Sequence, residues 1–91
     1  MKNTKENIQA WGKLYKDGIV DGDIVVLTTD FPPYFKGSKG VIQIRWDNII
    51  GLPSRAIVFN KGKANEIAVC PPPAMKFKKI GDAPTKKVRK R

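Results

Sequence analysis

Two periodicities of apolar residues divide the chain near residue 18. Over residues 4–16 the apolar side chains recur every three or four positions, which is typical of an amphipathic helix. Asn3 is expected to cap this helix, with Glu6 completing a capping box, and the turn Lys-Asp-Gly at 16–18 is expected to end it. The residues that share the apolar face are Ile8, Trp11, Leu14 and Tyr15.

After residue 20 the apolar residues alternate with polar ones, which predicts β-strands. In the segment 40–46, Ile42, Ile44 and Trp46 fall on one face, which we expect to be buried, and Arg45 falls on the opposite face, toward solvent. The aromatic residues expected in the core are Trp11, Trp46 and Phe59. The predicted strands are 22–29, 40–46, 55–60, 65–70 and 75–80.

Five short strands, short turns and little helix predict a mainly β domain. Closing the strands into a small antiparallel barrel would remove the unpaired edges of an open sheet. We expect the barrel over 19–80, with an N-terminal helix, within 1–18, packed on it. The segment 81–91 lacks apolar periodicity and has five basic residues among its last six. It is expected to be a disordered basic tail.

Charge is distributed unevenly along the chain. The net charge is +10, from 18 basic and 8 acidic residues. Residues 1–60 carry 8 basic and 6 acidic side chains, whereas residues 61–91 carry 10 basic and 2 acidic ones. An excess of +8 in the last third of a chain indicates a polyanionic partner, and nucleic acid is the first candidate. Both DNA and RNA fit this pattern.

Residues that commonly carry out catalysis are scarce. The chain has no histidine, which removes most catalytic triads and the common zinc sites. Cys70 is the single cysteine, and its place in a predicted strand suggests a buried structural thiol. We therefore expect no enzymatic activity, no metal, no cofactor and no small-molecule substrate. A lone cysteine and the lack of any long apolar run favour a cytoplasmic location without membrane contact.

Two segments, GDIVVL at 22–27 and KGSKGVI at 36–42, together resemble the KOW motif of ribosomal proteins and transcription elongation factors. The matching residues are Gly22, Asp23, Lys36, Gly37, Gly40 and Ile42. This resemblance implies that the five strands form an SH3-like barrel. It also implies that the loop before the second strand contacts RNA, DNA or a polymerase.

The residues themselves suggest how such a loop would bind. Gly37 and Gly40 are expected to adopt positive φ and to let backbone N–H groups approach a phosphate, although turn formation alone would also explain them. Tyr34 is a candidate for stacking on a base, whereas Phe31 and Phe35 are expected to fold back onto the barrel. The candidate nucleic-acid-binding residues are Tyr34, Lys36, Lys39, Arg45, Arg55, Lys61, Lys63, Lys76, Lys78, Lys86, Lys87, Arg89, Lys90 and Arg91.

The leading hypothesis is a small nucleic-acid-binding protein that contacts mostly phosphates and has weak sequence preference. Such a protein would be associated with transcription, the nucleoid or translation. The alternative is a protein-interaction module, of a kind a phage would encode, that docks on and modulates an acidic partner such as a polymerase, a nuclease or a ribosomal subunit. Its apolar contacts would be the isoleucine-bearing loop 47–54 or the aromatic segment 31–35.

Overall fold

A computed structural model describes residues 2–82. It contains one helix, α1 (Lys5–Gly12), and five strands, β1 (Ile24–Leu27), β2 (Lys39–Asp47), β3 (Leu52–Phe59), β4 (Ile67–Val69) and β5 (Phe77–Gly81). The prediction of a mainly β fold with a short N-terminal helix is confirmed. The expected tail lies outside the described residues, and so do its candidate cations Lys86, Lys87, Arg89, Lys90 and Arg91.

All five strands belong to one antiparallel sheet in the order β4-β3-β2-β1-β5. The first four strands form a meander, and β5 returns to pair with the free side of β1. Within residues 2–82, β4 and β5 do not pair with each other, so the sheet is not closed. The physical reason lies in the sequence after β4, because Pro71, Pro72 and Pro73 have no N–H groups with which to extend a ladder toward β5.

The apolar alternation predicted for β2 is confirmed, since Ile42 and Ile44 are 1% and 0% exposed. Trp46 is only half-buried, because it lies near the end of the β2–β3 hairpin, and it packs on Trp11 with 5.7 Å between the ring centroids. Phe59 is buried as expected. The core cluster consists of Trp11, Ile19, Val25, Leu27, Ile42, Ile44, Ile57, Phe59 and Met75.

The helix is shorter than predicted, and its cap is different. Thr4, not Asn3, is the N-cap, and its Oγ1 accepts a hydrogen bond of 3.1 Å from the N–H of Asn7. The side-chain oxygen of Asn3 instead accepts a bond of 2.7 Å from the N–H of Trp46, which ties the start of the chain to β2. Leu14, which was expected on the buried face, lies beyond the end of α1 and is exposed.

Candidate nucleic-acid interface

The sheet has two ends with different loops. At one end β1 stops at Leu27, where it pairs with Phe77 at the start of β5, and β3 stops at Phe59, where it pairs with Gly40 and Ile67. The β1–β2 loop (28–38), the β3–β4 turn (60–66) and the approach to β5 therefore meet at this end. At the other end, the β2–β3 hairpin closes through residues 48–51.

Six exposed lysines lie at the first end of the sheet, which we call the cationic end. None of them takes part in an ion pair within residues 2–82. Long-range pairing of the strands thus brings together candidate nucleic-acid-binding lysines from three separate segments of the chain. They are Lys36, Lys39, Lys61, Lys63, Lys76 and Lys78.

Three of these lysines share the outward face of the sheet. Val26 pairs with Lys39 of β2 on one side and with Lys78 of β5 on the other. Directly paired residues point to the same face, so both lysines project outward beside Val26, about 10 Å apart across two strand spacings. Lys76 lies two residues before Lys78, and its carbonyl accepts a bond of 3.0 Å from the N–H of Thr28. A polymer lying across β2, β1 and β5 would meet all three amino groups.

Two carboxylates also lie at the cationic end, and both cap backbone turns. Asp30 Oδ1 accepts a hydrogen bond of 2.7 Å from the N–H of Lys36, and Glu66 Oε1 accepts one of 2.9 Å from the N–H of Gly62. These contacts order the loops that carry the lysines. Six lysines against two carboxylates leave a local charge of about +4.

Arg45 is held away from the interface. It was expected to point freely into solvent, but its Nη1 lies 2.7 Å from Asp21 Oδ1 and also donates to the carbonyl of Ile44. Lys79 of β5 is also paired, because its Nζ lies 3.4 Å from Oδ2 of the buried Asp23 and 2.7 Å from Oδ1 of Asp82. Arg45 therefore makes a structural contact away from the cationic end, and its role in phosphate binding stays a prediction.

Arg55 is less accessible than Arg45, because its side chain is only 13% exposed. Its guanidinium donates to both oxygens of Asp17, at 2.9 Å each, and to the carbonyl of Ile19 at 3.1 Å. The same group lies over the ring of Tyr15, 4.2 Å from its centroid, and 5.5 Å from that of Phe77. Arg55 thus joins the segment after α1 to the sheet, and the structure does not bring it together with the lysines of the cationic end.

The Asp17–Arg55 contact makes stability depend on pH. The hydrogen bonds from Arg55 hold the pKa of Asp17 below its ordinary value of 3.8. Because the folded pKa lies below the unfolded one, the stabilisation is complete above about pH 4 and is lost as the pH falls through the folded pKa. In urea titrations between pH 5 and about pH 2, the free energy of unfolding should fall more steeply for the wild type than for Asp17→Asn. Equal slopes in the two proteins would contradict this assignment.

The two candidate glycines have different roles. Gly37 has φ +93° and is exposed, as expected for a turn, but its N–H donates to the carbonyl of Leu27 at 2.9 Å and is not free to bind a phosphate. Gly40 lacks the expected positive φ and is buried in the ladder between Val25 and Phe59. A Cβ at Gly40 would lie 2.3 Å from Ile57 Cγ2, so close packing explains this glycine and phosphate approach does not.

The aromatic residues of the β1–β2 loop also differ from expectation. Tyr34 stacks on Phe59, with centroids 4.6 Å apart and an angle of 12° between the rings, so one face of its ring is already covered. Phe31 is half-buried against the core, as predicted. Phe35 is 61% exposed, although it was expected to fold back. No local pattern predicts this arrangement, because consecutive prolines favour an extended segment, whereas Phe31 and Tyr34 form an antiparallel bridge.

Other possible sites are less distinct. A groove between α1 and the approach to β1, lined by Asn3, Lys5, Ile8, Gln9, Val20 and Asp21, lies away from the cationic end. Cys70 is exposed, not buried as predicted, because it follows the short edge strand β4. Residues 2–82 contain no cluster of three or more histidine, cysteine or carboxylate side chains suited to a metal ion. In the same range there is no helix with the length and hydropathy needed to cross a bilayer.

Comparisons of the chain with protein-family models, with curated proteins and with solved structures gave no match. The functional assignment therefore depends on the geometry and charge described above.

Proposed function

We propose that this protein binds nucleic acid through the cationic end of its sheet. The observation that carries the proposal is the convergence of six exposed lysines at one end of the sheet. Arg45, Arg55 and Lys79 are paired with carboxylates, whereas these six lysines have no such partner within residues 2–82. The exposed lysines of the N-terminal segment, Lys2, Lys5, Lys13 and Lys16, have none either, but they do not lie at the cationic end. Exposed amino groups that converge on one end of a small domain bind phosphates and release their counterions.

The form of the interface supports binding without base-specific readout. Lysine presents a compact point charge on a flexible stem, and contacts to phosphates fix position without carrying sequence information. The backbone N–H of Gly37 is used within the turn, so the side chains supply the binding. The proposed role is that of a binding protein with weak sequence preference, associated with transcription, the nucleoid or translation, and no catalytic step is included.

The strand order supports the resemblance to the KOW motif. A four-stranded meander whose fifth strand returns to β1 is the connectivity that an SH3-like barrel requires, and the loop that carries Lys36 joins β1 to β2, as the resemblance implies for the KOW loop. We include the SH3-like barrel in the proposal on this basis. The predicted cytoplasmic location is retained as part of the same proposal.

Reversing two charges at the cationic end tests the proposal. Lys39→Glu/Lys78→Glu places two carboxylates on either side of Val26 and should weaken binding to a labelled oligonucleotide on the order of 100-fold at about 50 mM salt. The slope of log K against log salt should become shallower by about 1.4 for a single strand or 1.8 for a duplex, because two phosphate contacts are lost. Fluorescence anisotropy at several salt concentrations measures both quantities.

A matched control is available at the other end of the sheet. Lys2→Glu/Lys5→Glu changes the net charge of +10 by the same amount, and these residues are exposed and flank Asn3, which binds Trp46. Trp46 is seven residues along β2 from Lys39, or about 24 Å. The control should bind nearly as tightly as the wild type. Equal losses in the two double variants would mean that only total charge matters, and the proposed interface would be wrong.

The hairpin at the far end favours a second candidate function, docking on a protein. Ile49, Ile50 and Leu52 are 95%, 58% and 59% exposed. The turn that carries them is ordered, since Asp47 Oδ1 accepts hydrogen bonds from the N–H groups of Ile49 and Ile50. Exposed aliphatic side chains on a fixed turn suit an apolar contact. Ile49→Ser/Ile50→Ser would remove that contact and leave the nucleic-acid affinity of the cationic end unchanged.

A further inference from the structure

Phe35 combines an exposed side chain with an ordered backbone in the β1–β2 loop of the cationic end. All eight aromatic residues of the chain lie within residues 2–82, and Phe35 is the one whose side chain is largely in solvent. It directly precedes Lys36. Because its two aromatic neighbours in the loop, Phe31 and Tyr34, pack on the core and on Phe59, the ring of Phe35 is the one in this loop left largely uncovered.

Hydrogen bonds on both sides of Phe35 hold its backbone in place. Before it, Phe31 and Tyr34 exchange two backbone bonds of 2.7 Å each. After it, the N–H of Lys36 binds Asp30, and the N–H of Ser38 donates to the carbonyl of Phe35 itself at 3.0 Å. A ring on such a loop loses little conformational freedom when it binds a ligand, so more of the contact energy is available for affinity.

A flat apolar ring next to exposed amino groups matches the chemistry of an unpaired nucleotide. The phosphate of a nucleotide attracts lysine, and the face of its base stacks on an aromatic ring. In a duplex the faces of the bases are already stacked on each other, so Phe35 could contact only the edges or the backbone. The distinction between single strands and duplexes therefore depends on Phe35, whereas the lysines serve both.

We infer that the cationic end prefers single-stranded nucleic acid, with a base stacked on Phe35 and its flanking phosphates bound by Lys36 and the neighbouring lysines. This inference depends on the proposed function, because it specifies the class of nucleic acid that the same surface binds. It does not require base-specific hydrogen bonds, since every base has a face that can stack.

The test compares a labelled oligothymidylate of about 12 nucleotides with a duplex of the same length, using wild type, Phe35→Ala and Phe35→Trp. Wild type should bind the single strand more tightly than the duplex. Phe35→Ala should lose on the order of 10-fold to 100-fold in affinity for the single strand and little for the duplex, with an unchanged salt slope. Phe35→Trp should retain the preference because it keeps an aromatic face. Oligouridylate of equal length shows whether ribose is also accepted.

The outcomes separate this inference from the proposed function. If Phe35→Ala binds the single strand as tightly as wild type while Lys39→Glu/Lys78→Glu loses affinity, the stacking inference is wrong and the proposed function stands. If wild type binds neither the single strand nor the duplex at about 50 mM salt, the proposed function is itself wrong. Because Phe35 is exposed, its variants should melt within a few degrees of wild type, and circular dichroism checks that they are folded.

Discussion

Gly40→Ala should destabilise this domain severely. The added Cβ would lie 2.3 Å from Ile57 Cγ2 and 3.1 Å from the carbonyl oxygen of Val58. Ile57 is fully buried in the core and cannot move aside without disturbing its neighbours, and Val58 is held in the β2–β3 ladder. Overpacking of this kind costs about 3 kcal/mol, a large part of the stability of a small domain.

The expected loss is measured by urea unfolding followed through tryptophan fluorescence. Gly37→Ala is the matched control, because Gly37 has open space around it and its positive φ makes an alanine cost only about 1 kcal/mol. The double variant Gly40→Ala/Ile57→Ala should be less destabilised than the sum of its two single variants, since the smaller side chain makes room for the new methyl group. Strict additivity would show that contact with Ile57 is not the cause.

Arg55→Lys should cost about 2 kcal/mol, although it preserves the charge. A lysine cannot reproduce the paired hydrogen bonds to the two oxygens of Asp17 together with the bond to the carbonyl of Ile19. It also loses the cation–π contact with Tyr15, in which Cζ of the guanidinium lies 4.2 Å from the centroid of the ring. These contacts join the segment after α1 to the middle of β3, so weakening them loosens the attachment of the N-terminal segment.

The equivalent change at the other arginine of the sheet provides the comparison. Arg45 makes one contact to Asp21 and its side chain is 41% exposed, so Arg45→Lys should cost no more than about 1 kcal/mol. Chemical unfolding of both variants at pH 7 measures the difference. If the two substitutions destabilise the protein equally, the partly buried network around Arg55 does not have the structural importance assigned to it.

The sequence predicted the elements of this fold better than their ends or their long-range contacts. Short apolar runs bounded by turn residues located all five strands, and in β2 the apolar residues also alternate because burial of one face imposes that period. The choice between Asn3 and Thr4 as helix cap could not be made locally. Both side chains can accept a backbone hydrogen bond. Thr4 becomes the cap because the side chain of Asn3 accepts a hydrogen bond from the N–H of Trp46, a residue 43 positions away.

At the candidate site too, exposure could be predicted from local sequence, whereas contacts between residues far apart in the chain could not. Lysines in turns were correctly expected to be exposed, since nothing in a turn covers them. The two arginines in strands were both expected to be exposed and unpaired. Arg55 instead donates hydrogen bonds to Asp17, 38 residues away in the chain, which no local pattern reveals. In the aromatic loop, Phe31 pairs with Tyr34, the ring of Tyr34 is covered by Phe59, and Phe35 is left exposed, although it was expected to fold back.

The edge strands of the open sheet, β4 and β5, affect whether copies of this protein associate. An uncovered strand normally invites a neighbouring molecule to add its own strand, which is how many aggregates begin. Here β4 has only three residues and runs into prolines, and the border formed by β5 carries Lys78 and Lys79. Neither edge strand therefore presents a long, uncharged row of unpaired backbone N–H and C=O groups. Electrostatic repulsion between copies of this positively charged protein further opposes self-association.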